Sequence, residues 1–240
     1  MNEITVAPPN YSRSIHIPFD LQRARENRCL ISNPDSPEAQ SYKVLRVKIH
    51  LQMQQKNLRT VLITSPRPGE GKTLTAVNLA LIFAQSYDQT VLVVDCDLNR
   101  QAVHKTLAID SQVGLKDYLM DAKPLQEVFI WPGIEKLTLI SGGGPVANSP
   151  EVIGSKRMGV LVKELKHRYD NRLVLFDAPP LLGCADALAL LPYMDCFVMV
   201  VAEGQTTLRD LRKALEVVPE EKFLGFVMNR QKQGPSVRHE

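Results

Sequence analysis

Long apolar runs are missing from this 240-residue chain. Its most apolar stretch, 185–202, is broken by Asp186, Pro192 and Asp195, well short of the roughly 20 apolar residues a membrane-spanning helix needs. The N-terminus lacks the basic, apolar and small-residue succession of a secretory signal. No run of Lys and Arg appears either, and the net charge is only +3 with 23% of residues charged. Nothing here would track a nucleic-acid backbone or an anionic lipid surface. The four cysteines, Cys29, Cys96, Cys184 and Cys196, form no C-x-x-C pair and have no His at zinc-ligand spacing. A disulfide frame or structural metal is therefore not expected, and a reducing cytoplasmic setting fits. Internal repeats and low-complexity tracts are absent as well.

What is present is a 44% hydrophobic chain, long enough for one large core. Residues 1–35 are polar and punctuated by Pro8, Pro9, Pro18 and Pro34, with too little periodic apolar content to form an element of their own. They read as a mobile or loosely docked arm, followed by one domain over 36–232 and a short polar tail over 233–240. Ser36 and Pro37 look like an N-cap and a first-turn proline, and Tyr42, Leu45 and Ile49 share a face, which predicts a helix over 37–55. Short β-branched runs then recur at 59–64, 90–95, 136–140, 172–177, 196–202 and 223–229. Several are continuously apolar, as strands covered on both faces of a parallel sheet must be. Helical patterns at 72–85, 150–169, 185–191 and 207–217 fall between them. The expected fold is α/β, a doubly wound, mostly parallel sheet.

One junction carries chemistry. The segment TSPRPGEGKT, 64–73, follows a predicted strand and opens a helix, where a Gly-rich loop can wrap an anion. Gly69 and Gly71 permit backbone angles closed to other residues, so successive N–H groups can converge on phosphate oxygens with the helix dipole behind them. Lys72 would bridge the β- and γ-phosphates and Thr73 would offer its hydroxyl to Mg²⁺. The general pattern G-x-x-x-x-G-K-S/T asks for a glycine where this chain has Pro66. Two further strands end in carboxylates: VLVVDCD in Asp95 and Asp97, and VLFD in Asp177. That edge is where ligands sit in such sheets, and three carboxylates around a phosphate cradle call for a hard divalent cation.

With Pro68-Gly69-Glu70-Gly71-Lys72-Thr73, VLVVDCD and FDAPPLLGCADALAL, the chain resembles the bacterial tyrosine kinases of capsule and exopolysaccharide synthesis, over about 37–229. That family lies within the MinD- and ParA-like P-loop ATPases. Those relatives carry a signature lysine where this chain has Arg67, and the P-G-E-G-K form resembles the kinase branch. The stretch NSPEVIGSKRM and the run GFVMN also match. The resemblance implies ATP and Mg²⁺ as cofactors. It implies that Pro68, Gly69, Glu70, Gly71, Lys72, Thr73 and Leu74 hold the nucleotide, that Asn229 reads adenine, and that Thr73, Asp95 and Asp177 hold the metal. Lys72, Asp95 and Asp97 would be catalytic, with Asp97 drawing the proton from a tyrosine hydroxyl of ordinary pKa near 10. It further implies a membrane-embedded polysaccharide co-polymerase, a chain-length determinant, as partner at the inner face of the membrane, and a homo-oligomer.

The chain departs from the family in three places. No tyrosine follows Tyr193, so the family's self-phosphorylation at a tail cluster is not expected. The subunit-contact pattern E-x-x-R-x-x-R aligns with Gln40, Lys43 and Arg46, and Lys cannot copy a bidentate guanidinium. The D-x-D run continues Leu98-Asn99-Arg100-Gln101 instead of Leu-Arg-x-Pro. Three readings stay open: a tyrosine kinase or kinase-like regulator, a nucleotide-dependent scaffold or ATPase that phosphorylates no protein, and a MinD- or ParA-like positioning ATPase. Cys96, Cys184 and His104 are expected to be structural, and Trp131 is either a core plug or a partner contact.

Overall fold

The computed structural model describes residues 14–31, 33, 35–86, 89–169 and 171–231. Residues 1–13 of the expected arm and the tail 233–240 lie outside them. In chain order the elements are β1 (Ile15–His16), α1 (Leu21–Glu26), α2 (Pro37–Lys56), β2 (Thr60–Thr64), α3 (Lys72–Ala84), β3 (Thr90–Asp95), α4 (Val103–Thr106), α5 (Leu115–Leu119) and β4 (Ile130–Trp131). There follow β5 (Leu137–Ile140), α6 (Ser149–Ile153), α7 (Lys156–His167), β6 (Arg172–Asp177), α8 (Asp186–Leu190), β7 (Cys196–Ala202), α9 (Leu208–Glu216) and β8 (Phe223–Asn229). They build an eight-stranded sheet in the order β1-β4-β5-β3-β6-β2-β7-β8. Every pairing is parallel except β4 with β5.

The unbroken apolar strands are explained by two cores, one on each face. Leu62, Val94, Phe176 and Phe197 point to the side covered by α7 and α8, while their neighbours Ile63, Val93, Leu175 and Val198 point to the side covered by α2 and α3. Each such side chain contributes about 1.5–3 kcal/mol by leaving water, so neither face tolerates a polar residue. Helix α3 is buried from Thr75 to Ala84, because it lies between the sheet and α2. Ser36 caps α2 by accepting from Ala39 N at 3.1 Å, and Asn57, left-handed at φ 52°, ends it.

Two expectations need correction. The arm was read as lacking elements, yet its described part holds β1 and α1. Ile15 N donates to Phe129 O at 2.9 Å and Ile17 N to Trp131 O at 3.1 Å, so the sheet edge supplies the partners that local periodicity cannot reveal. Asp20 caps α1 through Arg23 N at 3.0 Å, and Ala24 and Cys29 are buried in the core beside α3. The single helix expected over 150–169 is two, broken at Gly154 and Ser155, where Ser155 Oγ caps the second by accepting from Met158 N at 3.3 Å. Trp131 is half-buried, its ring 4.7 Å from that of His16 and its Nε1 donating to Ile134 O. It packs the edge strands together.

The start of β2 is fastened by one carboxylate. Asp195 accepts from Arg59 N at 2.9 Å, Thr60 N at 3.0 Å and Lys166 Nζ at 2.5 Å. Burial pushes its pKa up, but the Lys166 ammonium and the two amides outweigh this and leave it lowered. A carboxyl with a depressed folded pKa contributes stability that is present above the unfolded value and lost as pH falls through the folded one. Asp195→Ala should therefore cost about 2 kcal/mol at neutral pH, measured by denaturant unfolding. The gap from the parent should close as pH falls below about 4.

Candidate active site

The loop between β2 and α3 is shaped by glycine and held from outside. Gly71 has φ 94°, and a Cβ there would lie 2.0 Å from Asn229 Nδ2, so no other residue fits. Pro68 and Gly69 sit exposed at the rim, Glu70 and Lys72 are buried, and Thr73 and Leu74 are half-buried at the first turn of α3. Pro66, standing where the general pattern has glycine, is buried, and its carbonyl accepts from Leu182 N at 3.1 Å.

The loop's outer side is pinned by the sheet's far end. Asn229 Nδ2 donates to Glu70 O at 2.8 Å, and Arg230 to Gly69 O at 2.5 Å. The buried Glu70 carboxylate accepts from Arg67 N at 2.7 Å and from the hydroxyl of Thr206. Arg67 in turn pairs with Asp210 of α9 at 2.7 Å. That hydrogen-bonded guanidinium holds the Asp210 carboxyl at about 2 against the effect of burial. Thr206, Asp210 and Arg230 were not foreseen, and no local motif marks them.

The inner side is acidic. Asp95 and Asp177 are paired neighbours on β3 and β6. Lys72 Nζ reaches Asp97 Oδ2 at 3.0 Å, and Thr73 Oγ1 donates to Asp177 Oδ2 at 2.7 Å. Both oxygens of Asp95 accept backbone amides, Oδ1 from Asp97 N at 3.2 Å and Oδ2 from Val103 N at 3.0 Å. Asp177 Oδ1 is buried without a hydrogen-bond partner. Burial raises the pKa of Asp95, and the neighbouring Asp177 charge adds to it. Asp177 is likewise raised by burial, with Lys72 and the Thr73 hydroxyl opposing. Burial works against the Lys72 ammonium, but Asp177, Asp97 and Asp95 outweigh it and raise its pKa. The site is thus a buried cage whose carboxylates outnumber its one ammonium, and the orphaned Asp177 oxygen fits a hard cation bound by one or two protein oxygens.

Beside it, α2 and β8 border a groove of about 700 Å³ lined by Tyr42, Leu45, Thr75, Val227 and Asn229. Asn229 thus touches both the phosphate loop and the groove. Arg46 donates to Ile82 O at 3.2 Å within its own chain.

An AAA-domain family model matches residues 58–221. The tyrosine-protein kinase YwqD of Bacillus subtilis (strain 168) is 33% identical over 212 residues, 88% of this chain and 88% of that protein. The chain spans only 24–27% of the length of other relatives named as tyrosine-protein kinases. Among solved structures, the kinase domain of the Escherichia coli tyrosine kinase ETK matches with a TM-score of 0.78 at 26% identity, over 95% of this chain and 94% of that one. The septum site-determining protein MinD of Pyrococcus horikoshii OT3, solved with Mg-ADP, shares the fold at a TM-score of 0.57 and 24% identity, over 71% of this chain and 69% of that one.

Glu70→Ala removes the hub of the outer clamp while leaving both cores intact. It should keep a cooperative melt but weaken nucleotide binding about tenfold, or about 1.4 kcal/mol. Titration calorimetry with ADP and magnesium reads this directly, and an unchanged affinity would show that the clamp does not shape the cradle.

Proposed function

The chain belongs to the bacterial tyrosine-protein kinase family within the AAA-domain P-loop ATPases, and on that premise we propose that it uses ATP with Mg²⁺ to phosphorylate protein tyrosine in exopolysaccharide or capsule synthesis. The observation that carries this reading is the contact of Lys72 Nζ with Asp97 Oδ2 at 3.0 Å beside the Thr73–Asp177 pair. It sets a phosphate-binding ammonium against a carboxylate able to accept a proton.

In this reading the amides of Gly69 to Leu74 cradle the phosphates. The ammonium of Lys72 moves onto the β- and γ-oxygens, which frees Asp97 to accept the phenol proton as the tyrosine attacks. Thr73 Oγ1 and Asp177 Oδ1 would hold Mg²⁺, which would neutralise charge building on the phosphate oxygens. We assign Asp95 to holding the Asp97 loop through its two amide contacts, so that its part in the metal site is indirect. Asn229, with Tyr42 and Val227 of the adjoining groove, would receive the base.

Arg67 stands where MinD and ParA proteins have their signature lysine, and it is spent on Asp210 of the same chain, which argues against a positioning ATPase. A membrane-embedded co-polymerase as partner, cytoplasmic placement at the membrane face and self-association belong to the same proposal. Since Arg46 is engaged with α3 of its own chain, we expect any subunit contact through α2 to rely on other residues of that face.

Labelled ATP with magnesium should place label on protein tyrosine for the parent chain and none for Lys72→Met. Asp97→Asn should slow transfer by about 10²–10⁴-fold while nucleotide still binds. Free phosphate without protein label would favour the scaffold or ATPase reading instead.

A further inference from the structure

The residues that follow Asp97 close into a single turn. Asp97 O accepts from Arg100 N at 3.1 Å and from Gln101 N at 2.8 Å, and Asp97 Oδ1 accepts from Arg100 N at 3.2 Å. With Oδ1 taken by the turn, Oδ2 is the oxygen that faces Lys72 Nζ. The direction of the proposed base is therefore set by the geometry of 97–101. One turn fixes several backbone angles for very few hydrogen bonds and does not hold its shape unaided.

Gln101 ends the turn in a left-handed conformation, φ 47°. Such positions usually fall to glycine or asparagine. Proline, which the family pattern has at this position, is locked at a φ of about −65° and cannot follow this path. The glutamine side chain is held at both ends instead. Its Nε2 donates to Leu98 O at 2.8 Å within the turn, and its Oε1 accepts from Gly144 N at 2.9 Å in the loop after β5. It is 9% exposed, and a Cβ on Gly142 would stand 2.6 Å from Gln101 Cγ. The receiving loop is itself anchored on the start of α5, where Ser141 O accepts from Leu115 N at 2.7 Å and Gly142 O from Lys116 N at 3.0 Å. Asn99 adds a second tie, its Nδ2 donating to the buried Ser149 Oγ at 3.1 Å. A residue kept in a sparsely populated backbone region by its surroundings is a recurrent mark of functional sites.

We propose that Gln101 is a positioning residue for phosphoryl transfer. By bridging Leu98 O and Gly144 N it fastens the Asp97 turn to the loop after β5 and keeps Asp97 Oδ2 aimed at the phosphate cradle. In this role Gln101 meets neither nucleotide nor acceptor and acts only through Asp97. Loss of the bridge leaves the cradle residues 69–74 in place, so nucleotide affinity holds while the rate of transfer falls. A group displaced by about 1 Å from its working position costs up to about 10²-fold.

This inference rests on the kinase reading above, and its test separates the two. The full chain with ATP and magnesium is assayed for phosphotyrosine on a synthetic Glu-Tyr copolymer and for free phosphate. Gln101→Gly is the probe, since glycine keeps the left-handed turn and removes both side-chain bonds. The expected result is a kcat about tenfold lower, with KM for the copolymer and calorimetric affinity for ADP with magnesium unchanged. Adding Gln101→Gly to Asp97→Asn should cost nothing more, because the two act as one unit. Gln101→Asn also tolerates the turn but is one methylene too short for the bridge, so it should match Gln101→Gly and decides the matter if the glycine variant loses its cooperative melt. Full kcat in a folded variant, an equal loss on the Asp97→Asn background, or loss of the melt in both variants overturns the positioning role and leaves the kinase reading standing. Phosphate release without tyrosine label overturns the kinase reading, and the same comparison on phosphate release then decides Gln101. Neither product from the parent chain overturns both.

Discussion

The contact between Lys72 and Asp97 is the interaction on which the rest of the site turns. It unites the first residue of α3 with the end of the D-x-D run, and it stands among carboxylates that burial drives toward protonation. A lone ammonium cannot satisfy Asp95, Asp97 and Asp177 together, so the resting cage holds excess negative charge at low dielectric. An arriving polyphosphate alone would worsen this, and only its joint arrival with a cation relieves it. The same imbalance explains why Asp95 is tied down by two backbone amides, which stabilise its charge without consuming the ammonium.

The outer clamp complements the inner cage. Residues from the end of β7, the start of α9 and the end of β8 converge on Arg67, Gly69 and Glu70, so the loop's conformation depends on the far third of the chain. A cradle held this way has its amides oriented before any ligand binds, and less ordering is left for the moment of binding.

Much of this was legible beforehand. The five strands β2, β3, β5, β6 and β7 are legible to within a residue because coverage on both faces writes an unbroken apolar run, β8 at the edge is legible from its β-branched and aromatic run alone, and the strand-to-helix loop and acidic strand ends mark Lys72, Thr73, Asp97 and Asp177, which the fold brings together. The two-residue strands β1 and β4 are not legible, since two residues carry no period and their existence depends on a neighbour's free backbone. The different surroundings of Asp95 and Asp177, the one bound by two backbone amides and the other with an unpartnered oxygen, are also hidden: a D-x-D run does not say which oxygens the main chain will take. Nor does any local pattern announce Thr206, Asp210 or Arg230, which meet the loop only after the sheet is assembled.

Helix α3 has almost no face of its own to spare, since it is buried along nearly its whole length and its first residue is Lys72. On the role proposed for Lys72, the grip on phosphate cannot fray locally while the interior stays intact, as a loop on a solvent-facing helix would. Melting of the interior and release of nucleotide become one event, and a bound nucleotide acts as a thermodynamic rivet whose concentration sets the temperature at which the whole molecule gives way.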